Sequence, residues 1–230
     1  MKSFYHAMGL IAAFCLMFVV LITSVEAVVY WNDGYFEKEY EKYNVLERVS
    51  MEMDDLLAVT EEMMDYLRGD RDDLVVETVV DGQEREFFNA KEKRHMVDVQ
   101  GLFLGAMKLR EGAALVVLLI GAYLLLKEEG LVLLRMLQWG VGLFIGGMAG
   151  LGLLAATDFT KYFTYFHLIF FDNDDWYLNP RTDLLINIVP EGFFRDTAFR
   201  IAALFLAISF LLWLGAGLLR KRAKHKGLLL

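Results

Sequence analysis

His167 lies in an aromatic run that leads directly into a short acidic segment. The run covers residues 164–171, and the segment after it, residues 172–176, contains three aspartates and a tryptophan. Burying a polar ring without a partner costs about 1 to 3 kcal/mol. An imidazole in this neighbourhood therefore needs a partner or a chemical task. Because its charge changes near neutral pH, the task that fits is proton transfer.

A second histidine, His95, is followed three residues later by Asp98. On a helix this spacing places both side chains on one face, so the carboxylate can fix the tautomer of the ring and support a transient imidazolium. The nearby helix N-terminus acts in the opposite sense and favours the neutral base. A proton shuttle needs this balance. Taken alone, the spacing fits an exposed His–Asp pair without a chemical role better than it fits a proton shuttle.

Other chemistries lack the residues that they require. The sequence shows no Ser/His/Asp arrangement, no HExxH motif, no phosphate-binding glycine loop and no metal-ligand spacing. The single cysteine, Cys15, lies in an apolar run, which excludes an intrachain disulfide framework and a two-thiol redox centre. The aspartates of residues 172–175 lack the alternating ligands of a calcium loop, which favours a solvent-exposed acidic loop. We therefore expect acid–base chemistry with no metal, no cofactor and no nucleic-acid partner.

The composition is that of a polytopic membrane protein. The 230 residues are 57% hydrophobic and yet carry a formal net charge of -8, so apolar segments must alternate with acidic ones. A helix needs about 20 apolar residues to cross a bilayer. The predicted fold class is mainly α, with four transmembrane helices and a small extracytoplasmic α+β domain between spans 1 and 2. The predicted organisation is a first transmembrane helix at 1–29, the extracytoplasmic domain at 30–110, transmembrane helices 2 and 3 at 111–156, a second extracytoplasmic loop at 157–197, transmembrane helix 4 at 198–219 and a basic cytoplasmic tail at 220–230.

Two of the apolar segments leave alternatives open. Residues 7–25 predict a retained anchor by their length, although the small residues around position 26 also fit the cleavage site of a signal peptide. The uncharged stretch 113–126 is too short to span, so the second crossing must reach back to about residue 107. It then carries charges that either snorkel or, as a Lys108–Glu111 pair, line a polar entrance.

The third apolar segment, residues 131–156, carries glycines at four-residue steps. Gly142, Gly146 and Gly150 share one helix face. Small residues at this spacing allow another helix to approach closely, so we expect this face to pack against a neighbour. Whether the neighbour belongs to the same chain or to a second copy is left open.

The region between the first two spans is acidic, with 20 acidic and 11 basic residues in 30–110. Apolar residues recur at helical spacing over 45–67, and Gly69 predicts the end of that helix. A valine-rich stretch precedes the Asp-Gly dipeptide at 81–82, which predicts a β-hairpin with a type I′ turn.

Three further helix starts are indicated by local signals. Asn89 and Glu92 form a pattern that resembles a capping box and opens the helix that carries His95. Asp158 predicts the N-terminal cap of the aromatic segment, and Pro190 predicts the restart of a helix that leads into the fourth span.

The basic residues near the span ends predict the orientation. Five cations in residues 220–226 place the C-terminus in the cytoplasm by the positive-inside rule. Four spans then place both termini inside and both long loops outside. His95 and His167 are therefore predicted at the outer face, each beside the end of a transmembrane helix.

Two short motifs in these loops resemble a known family. Residues 94–99, Arg-His-Met-Val-Asp-Val, and the dipeptide at 166–167, Phe-His, together with the four-span topology, are similar to the lipoprotein intramolecular transacylase (Lit) family of Gram-positive bacterial membrane proteins. The resemblance covers nearly the whole chain and extends to Phe171, Trp176, Leu185, Pro190, Glu191 and Phe194.

The resemblance implies a membrane acyltransferase. The implied reaction moves the sn-2 acyl chain of a diacylglyceryl-modified lipoprotein to the α-amino group of its N-terminal cysteine and leaves a lyso-form lipoprotein. The implied partners are these lipoproteins and membrane lipid, and the implied location is the bacterial cell membrane. The family's two outer histidines fall on His95 and His167 as the catalytic pair, with Asp98 in support. Candidate substrate-binding residues are Arg94, Trp176, Arg181 and Arg195. The three arginines are also candidates to stabilise the oxyanion of the reaction, although a head-group or surface role fits each of them better.

A different class of protein also fits the composition. A non-catalytic membrane sensor or adaptor would bind a partner through the acidic outer domain and would touch anionic lipid with its basic tail. Such a protein should tolerate loss of both histidines, whereas a transacylase should not.

Overall fold

The structure, a computed structural model, describes residues 2–225. Within them the chain is mainly helical, with one two-stranded antiparallel sheet. Residues 226–230 of the predicted basic tail, including Lys226, lie outside the described residues. The elements in chain order are α1 (Lys2–Val29), α2 (Tyr35–Lys42), α3 (Val45–Val49), α4 (Met53–Arg68), β1 (Glu77–Val80), β2 (Gln83–Glu86), α5 (Ala90–Leu126), α6 (Gly130–Thr157), α7 (Phe159–Phe170), α8 (Leu185–Ile188) and α9 (Glu191–His225).

Within residues 2–225, four helices, α1, α5, α6 and α9, are long and apolar enough to cross a membrane. The prediction of a mainly helical chain with four such helices is confirmed. Helix α5 runs without a break from its polar start through the apolar stretch, as the short uncharged segment required. Its first turns are too charged to lie in hydrocarbon, since they carry Lys91, Glu92, Lys93, Arg94 and Asp98.

The chain divides into two compact units. Unit 1 comprises the described parts of Met1–Glu26, Met107–Thr157 and Arg200–Leu230. Its core contains a cluster of buried apolar side chains from three helices: Met17, Val20, Val141 and Phe205. Unit 2 comprises Ala27–Ala106 and Asp158–Phe199.

The close helix packing of unit 1 uses a different glycine from those predicted. An added Cβ at Gly140 on α6 would overlap the side chain of Ala13 on α1. Gly142, Gly146 and Gly150 have no such neighbour within 4 Å among the described residues, so the predicted packing face is wrong within this chain. Two residues correspond to about 200° on an α-helix. Gly140 therefore faces α1 while Gly142 faces away from it.

This contrast gives a matched pair of substitutions on one helix. Gly140→Ala is expected to lower the melting temperature in detergent, because overpacking a well-packed contact costs about 1 to 3 kcal/mol. Gly146→Ala is expected to leave it unchanged or slightly higher, because nothing is displaced and alanine is the better helix former. Equal melting temperatures for the two variants would contradict the packing described.

A buried ion pair also connects α1 with α5 in unit 1. The guanidinium of Arg110 contacts the carboxylate of Glu26, and both side chains are largely buried. The predicted pair between Lys108 and Glu111 does not form among the described residues. Arg110 therefore pairs with a carboxylate on another helix and not with one on α5.

The helical part of unit 2 has one more break than the sequence predicts. Residues 45–67 form two helices, because Ser50 adopts a left-handed conformation with φ 53° and ends α3. Met51 is buried at this break. The predicted end of α4 is confirmed, since Gly69 caps the helix with φ 78°.

The remaining local predictions in unit 2 are confirmed. Asp81 and Gly82 both have positive φ, 53° and 70°, as a type I′ turn requires, and β1 and β2 pair around them. Asp158 accepts a hydrogen bond from the backbone of Lys161 at 3.1 Å and caps α7. Pro190 immediately precedes α9.

Candidate functional site

The structure brings the two predicted histidines together, although 71 residues lie between them in sequence. His95 lies in the second turn of α5 and His167 near the end of α7. Their ring centroids are 6.1 Å apart and the ring planes are inclined by 32°. Both residues are buried, with 8% and 7% of their surface exposed. The ring centroid of Phe171 lies 5.2 Å from that of His95 and 5.5 Å from that of His167.

The start of α5 is fixed by a buried carboxylate one turn before His95. The predicted capping box is formed: Asn89 donates its backbone N–H to Glu92 at 2.7 Å, and the Asn89 side chain accepts from the backbone of Glu92 at 3.1 Å. The second carboxylate oxygen of Glu92 accepts from the backbone N–H of Leu185 at 2.6 Å. Burial raises the pKa of Glu92, while these backbone hydrogen bonds oppose the rise. Sequence spacing indicated the cap but gave no signal for the link to α8.

The surroundings of His167 fix its tautomer. Its Nδ1 lies 2.7 Å from the backbone oxygen of Phe163. A carbonyl oxygen only accepts, so Nδ1 carries the proton and Nε2 keeps the free lone pair. Burial lowers the pKa of His167, and the hydrogen bond to Phe163 partly opposes this. At neutral pH the ring is therefore an uncharged base. Aromatic rings surround it at centroid distances of 4.4, 4.9 and 5.5 Å, from Phe163, Trp176 and Phe166.

His95 is held without the predicted hydrogen bond to Asp98. Its Nδ1 is buried and has no hydrogen-bond partner in residues 2–225. Asp98 instead accepts from the side-chain amide of Asn173 at 2.8 Å. That part of the prediction is wrong, because spacing within one helix cannot reveal a donor that arrives from another segment. The pKa of His95 is lowered to about 4, mainly by burial and also by His167, while Asp98 and Asp175 act in the opposite direction.

The acidic segment after α7 is tied to the first turns of α5. Arg94 donates two hydrogen bonds to the carboxylate of Asp175, at 2.9 and 2.8 Å. Lys91 donates to the backbone oxygen of Tyr177 at 2.6 Å. Together with the Asn173–Asp98 hydrogen bond, these contacts place the ring of Trp176 against His167.

The predicted substrate-binding residues therefore separate into two groups. Trp176 lies in the histidine cluster, and Arg94 reaches the same segment through Asp175. Arg181 and Arg195 are exposed, and their guanidinium groups make no hydrogen bond or ion pair within the described part of the chain. Within that part, no group of three or more His, Cys, Asp or Glu side chains is placed to hold a metal ion.

The arrangement is suited to moving one proton. Each imidazole is neutral at pH 7, and the charge of one would lower the pKa of the other, so a proton on the pair is carried by one ring at a time. The fixed tautomer of His167 offers a lone pair to an incoming donor. The pair can therefore accept a proton from one group and donate a proton to a neighbouring oxygen.

Thermal stability is expected to fall on acidification because of this pair. In an unfolded chain both imidazoles bind a proton near pH 6.5. Burial in the folded site lowers the pKa of His95 to about 4 and also lowers that of His167. The folded state thus binds fewer protons, so the stabilisation is complete above about pH 6.5 and is lost as the pH drops towards 4.

Melting temperatures in detergent between about pH 7.5 and pH 4.5 measure this loss. A His95→Gln variant, whose side chain does not titrate, should lose less stability over the same range. An identical loss in the two proteins would contradict the low pKa of His95.

The sequence matches the model of one known protein family. A family model described as lipoprotein intramolecular transacylase Lit matches residues 10–194. No protein with a curated description matches the sequence significantly.

Solved structures show the same fold. The structure of the membrane-integral lipoprotein intramolecular transacylase Lit from Bacillus cereus is similar, with a TM-score of 0.79 and 23% sequence identity, and the match covers 99% of this chain and 100% of that one. Two structures of the same protein, with a histidine replaced by arginine or by alanine, also match with a TM-score of 0.79 and 23% identity. Those matches cover 98% and 97% of this chain, and 96% and 97% of the other chains.

Proposed function

The chain belongs to the lipoprotein intramolecular transacylase family, a family of membrane acyltransferases, and on this premise we propose that it moves an acyl chain within a bacterial lipoprotein. The donor is the sn-2 ester of a diacylglyceryl-modified N-terminal cysteine, and the acceptor is the α-amino group of the same cysteine. The product is a lyso-form lipoprotein with an N-acylated cysteine. The observation that carries this proposal is the buried contact between His95 and His167.

The reaction needs proton transfer and positioning. The amine nitrogen forms a bond to the ester carbonyl carbon, the bond from that carbon to the glyceryl oxygen breaks, and one proton passes from nitrogen to that oxygen. Donor and acceptor are parts of one molecule, so the protein gains most by selecting a reactive conformer. The two histidines supply the proton path between nitrogen and oxygen.

The tautomer of His167 supports its assignment as the base. Its Nε2 lone pair accepts the proton that the amine releases as it attacks, while the hydrogen bond to Phe163 holds the ring in place. His95, whose Nδ1 has no partner in the described residues, passes a proton to the departing glyceryl oxygen. An α-amino group titrates near pH 7.7 to 8.0. The low pKa values of both histidines keep them neutral over the range in which that amine becomes nucleophilic.

The proposed orientation in the membrane rests on the basic residues near the span ends. The chain is a multi-pass membrane protein, and we place both termini in the cytoplasm with the histidine pair at the outer face. The domain boundaries suggested by the sequence fit this topology, with residues 30–110 and 157–197 outside. A cysteine introduced at position 224 should stay unlabelled by an impermeant reagent in intact cells, and its labelling would reverse the orientation.

Mass spectrometry of a lipoprotein's N-terminal peptide tests the function. Cells that contain this protein should yield the lyso form, and cells that lack it should yield the diacylglyceryl form. Restoring the protein with both histidines replaced by alanine should not restore the lyso form. An adaptor would leave the lipoprotein unchanged in every strain, and that result would contradict the proposal.

A further inference from the structure

We propose that the indole N–H of Trp176 is the hydrogen-bond donor that stabilises the oxyanion formed during acyl transfer. This inference rests on the proposed function and goes beyond the histidine pair. It assigns Trp176 a catalytic contact with the reacting carbonyl oxygen.

The first observation is a buried donor without an acceptor. Nε1 of Trp176 is shielded from solvent and has no hydrogen-bond partner within residues 2–225. Buried tryptophan N–H groups usually find a partner, and each one that does not needs an explanation. The other unpartnered buried nitrogen of this cluster is Nδ1 of His95. The two orphan atoms thus belong to the same group of rings.

The second observation is the position of the ring. The Trp176 and His167 centroids are 4.9 Å apart, with ring planes inclined by 33°. With His167 as the base, the proposal places the reacting carbonyl beside these two rings, with the oxygen on which negative charge develops towards the Trp176 N–H.

The third observation is that the residues before and after Trp176 are both held by hydrogen bonds. Asp175 is fixed by the two hydrogen bonds from Arg94, and its backbone N–H donates to the side chain of Asn173 at 2.9 Å. The backbone oxygen of Tyr177 accepts from Lys91. A donor acts efficiently on a developing charge only when it is already in place. These contacts give Trp176 that preorganisation.

The other candidate donors are used elsewhere or are exposed. The guanidinium of Arg94 is engaged by Asp175 and by the backbone oxygen of Ala90. Arg181 and Arg195 lie on the exposed surface. Of these candidate donors in the described part of the chain, Trp176 is thus the one that combines a buried N–H with a ring contact to His167.

The chemical step is balanced without any further reactant. As the amine nitrogen adds to the ester carbon, the carbonyl π electrons move to oxygen, and the Trp176 N–H donates to this oxyanion without losing its proton. When the bond to the glyceryl oxygen breaks, the carbonyl reforms and the hydrogen bond weakens. The proton that reaches the glyceryl oxygen comes from the histidine pair.

Trp176→Phe removes the donor and keeps an aromatic ring on His167. With a purified diacylglyceryl lipopeptide as substrate, kcat should fall about 10²- to 10³-fold while KM and the melting temperature change little. The matched control is Trp31→Phe, the same substitution at a tryptophan that is 64% exposed in the same unit. The control should retain the wild-type rate.

A second variant separates the donor from packing. Benzothienylalanine at position 176 replaces the indole N–H by sulfur and keeps the size of the ring, so it should lose activity as Trp176→Phe does. The pKa of His167, followed by NMR of labelled histidine, should not change in either variant. If the benzothienylalanine protein works within about threefold of wild type, or if its loss comes with a shifted His167 pKa, the donor role is wrong.

The wild-type rate in the same assay tests the proposed function independently. A wild-type protein that forms no lyso lipopeptide would contradict the transacylase activity itself. An active wild type together with an equally active Trp176→Phe variant would contradict only the role of Trp176.

Discussion

Replacing His167 with alanine is expected to lower kcat for conversion of a diacylglyceryl lipopeptide to its lyso form by about 10²- to 10⁴-fold. The variant loses the lone pair on Nε2 that accepts the amine proton. The rate is measured with purified protein in detergent. His95→Ala should lose a comparable factor, because the proton accepted by one ring must still reach the glyceryl oxygen.

The double variant is expected to lose little more than either single variant. Groups that act as one unit are strongly non-additive, and the 6.1 Å contact between the rings makes these two histidines such a unit. Losses that multiply would show that the histidines act independently.

His6→Ala is a matched control for these variants. His6 also lies on a helix and, like His167, places Nδ1 2.7 Å from the backbone oxygen four residues earlier. Because His6 belongs to α1 and to unit 1, its removal should leave the rate unchanged. A His6→Ala protein as slow as His167→Ala would contradict the assignment.

Glu92→Ala is expected to destabilise the protein by about 2 to 4 kcal/mol. The Glu92 side chain is almost wholly buried and accepts the backbone N–H groups of Asn89 and Leu185. Its removal leaves both donors without their acceptor and opens a cavity beside the start of α5. The desolvation that raises the pKa of Glu92 offsets part of this loss. Thermal unfolding in detergent measures the change.

An exposed glutamate provides the control for this prediction. Glu84 lies in β2 and is exposed, so Glu84→Ala should change the melting temperature very little. If Glu92→Ala were as stable as Glu84→Ala, the carboxylate would not be fixing the start of α5.

Local signals predicted much of the fold because they act over a few residues. Asn89 with Glu92, Asp81 with Gly82, and Asp158 each satisfy backbone groups of their own turn, and all three are found as expected. The apolar lengths predicted the four long helices for the same reason, since crossing hydrocarbon is a requirement on each segment alone.

Contacts between distant segments could not be predicted in this way, because local signals do not show which other segment lies nearby. Asp98 lies at the correct spacing from His95 but bonds to Asn173, which the chain brings from 75 positions away. The predicted glycine face on α6 has no neighbour within 4 Å in residues 2–225, and Gly140 packs on α1 instead. Arg110 pairs with Glu26 of another helix. In each case the residue type indicated that a contact partner was required, while the identity of that partner depended on the tertiary structure.

The histidine pair could be predicted from the sequence only in part. The unfavourable burial of His167 in an aromatic run indicated a function, and the family resemblance pointed to His95. Their contact at 6.1 Å, the tautomer fixed by Phe163 and the orphan N–H of Trp176 all required the structure.

Intramolecular acyl transfer by the histidine pair is tested most directly by an isotope crossover experiment with the purified protein. A diacylglyceryl lipopeptide with a deuterated sn-2 acyl chain is mixed with an unlabelled lipopeptide of different mass, and the products are identified by mass spectrometry. We expect the wild type to form lyso products in which each acyl chain has moved to the amine of its own peptide. The His95→Ala, His167→Ala double variant should form almost none. Acyl chains exchanged between the peptides, or rapid conversion by the double variant, would contradict this expectation.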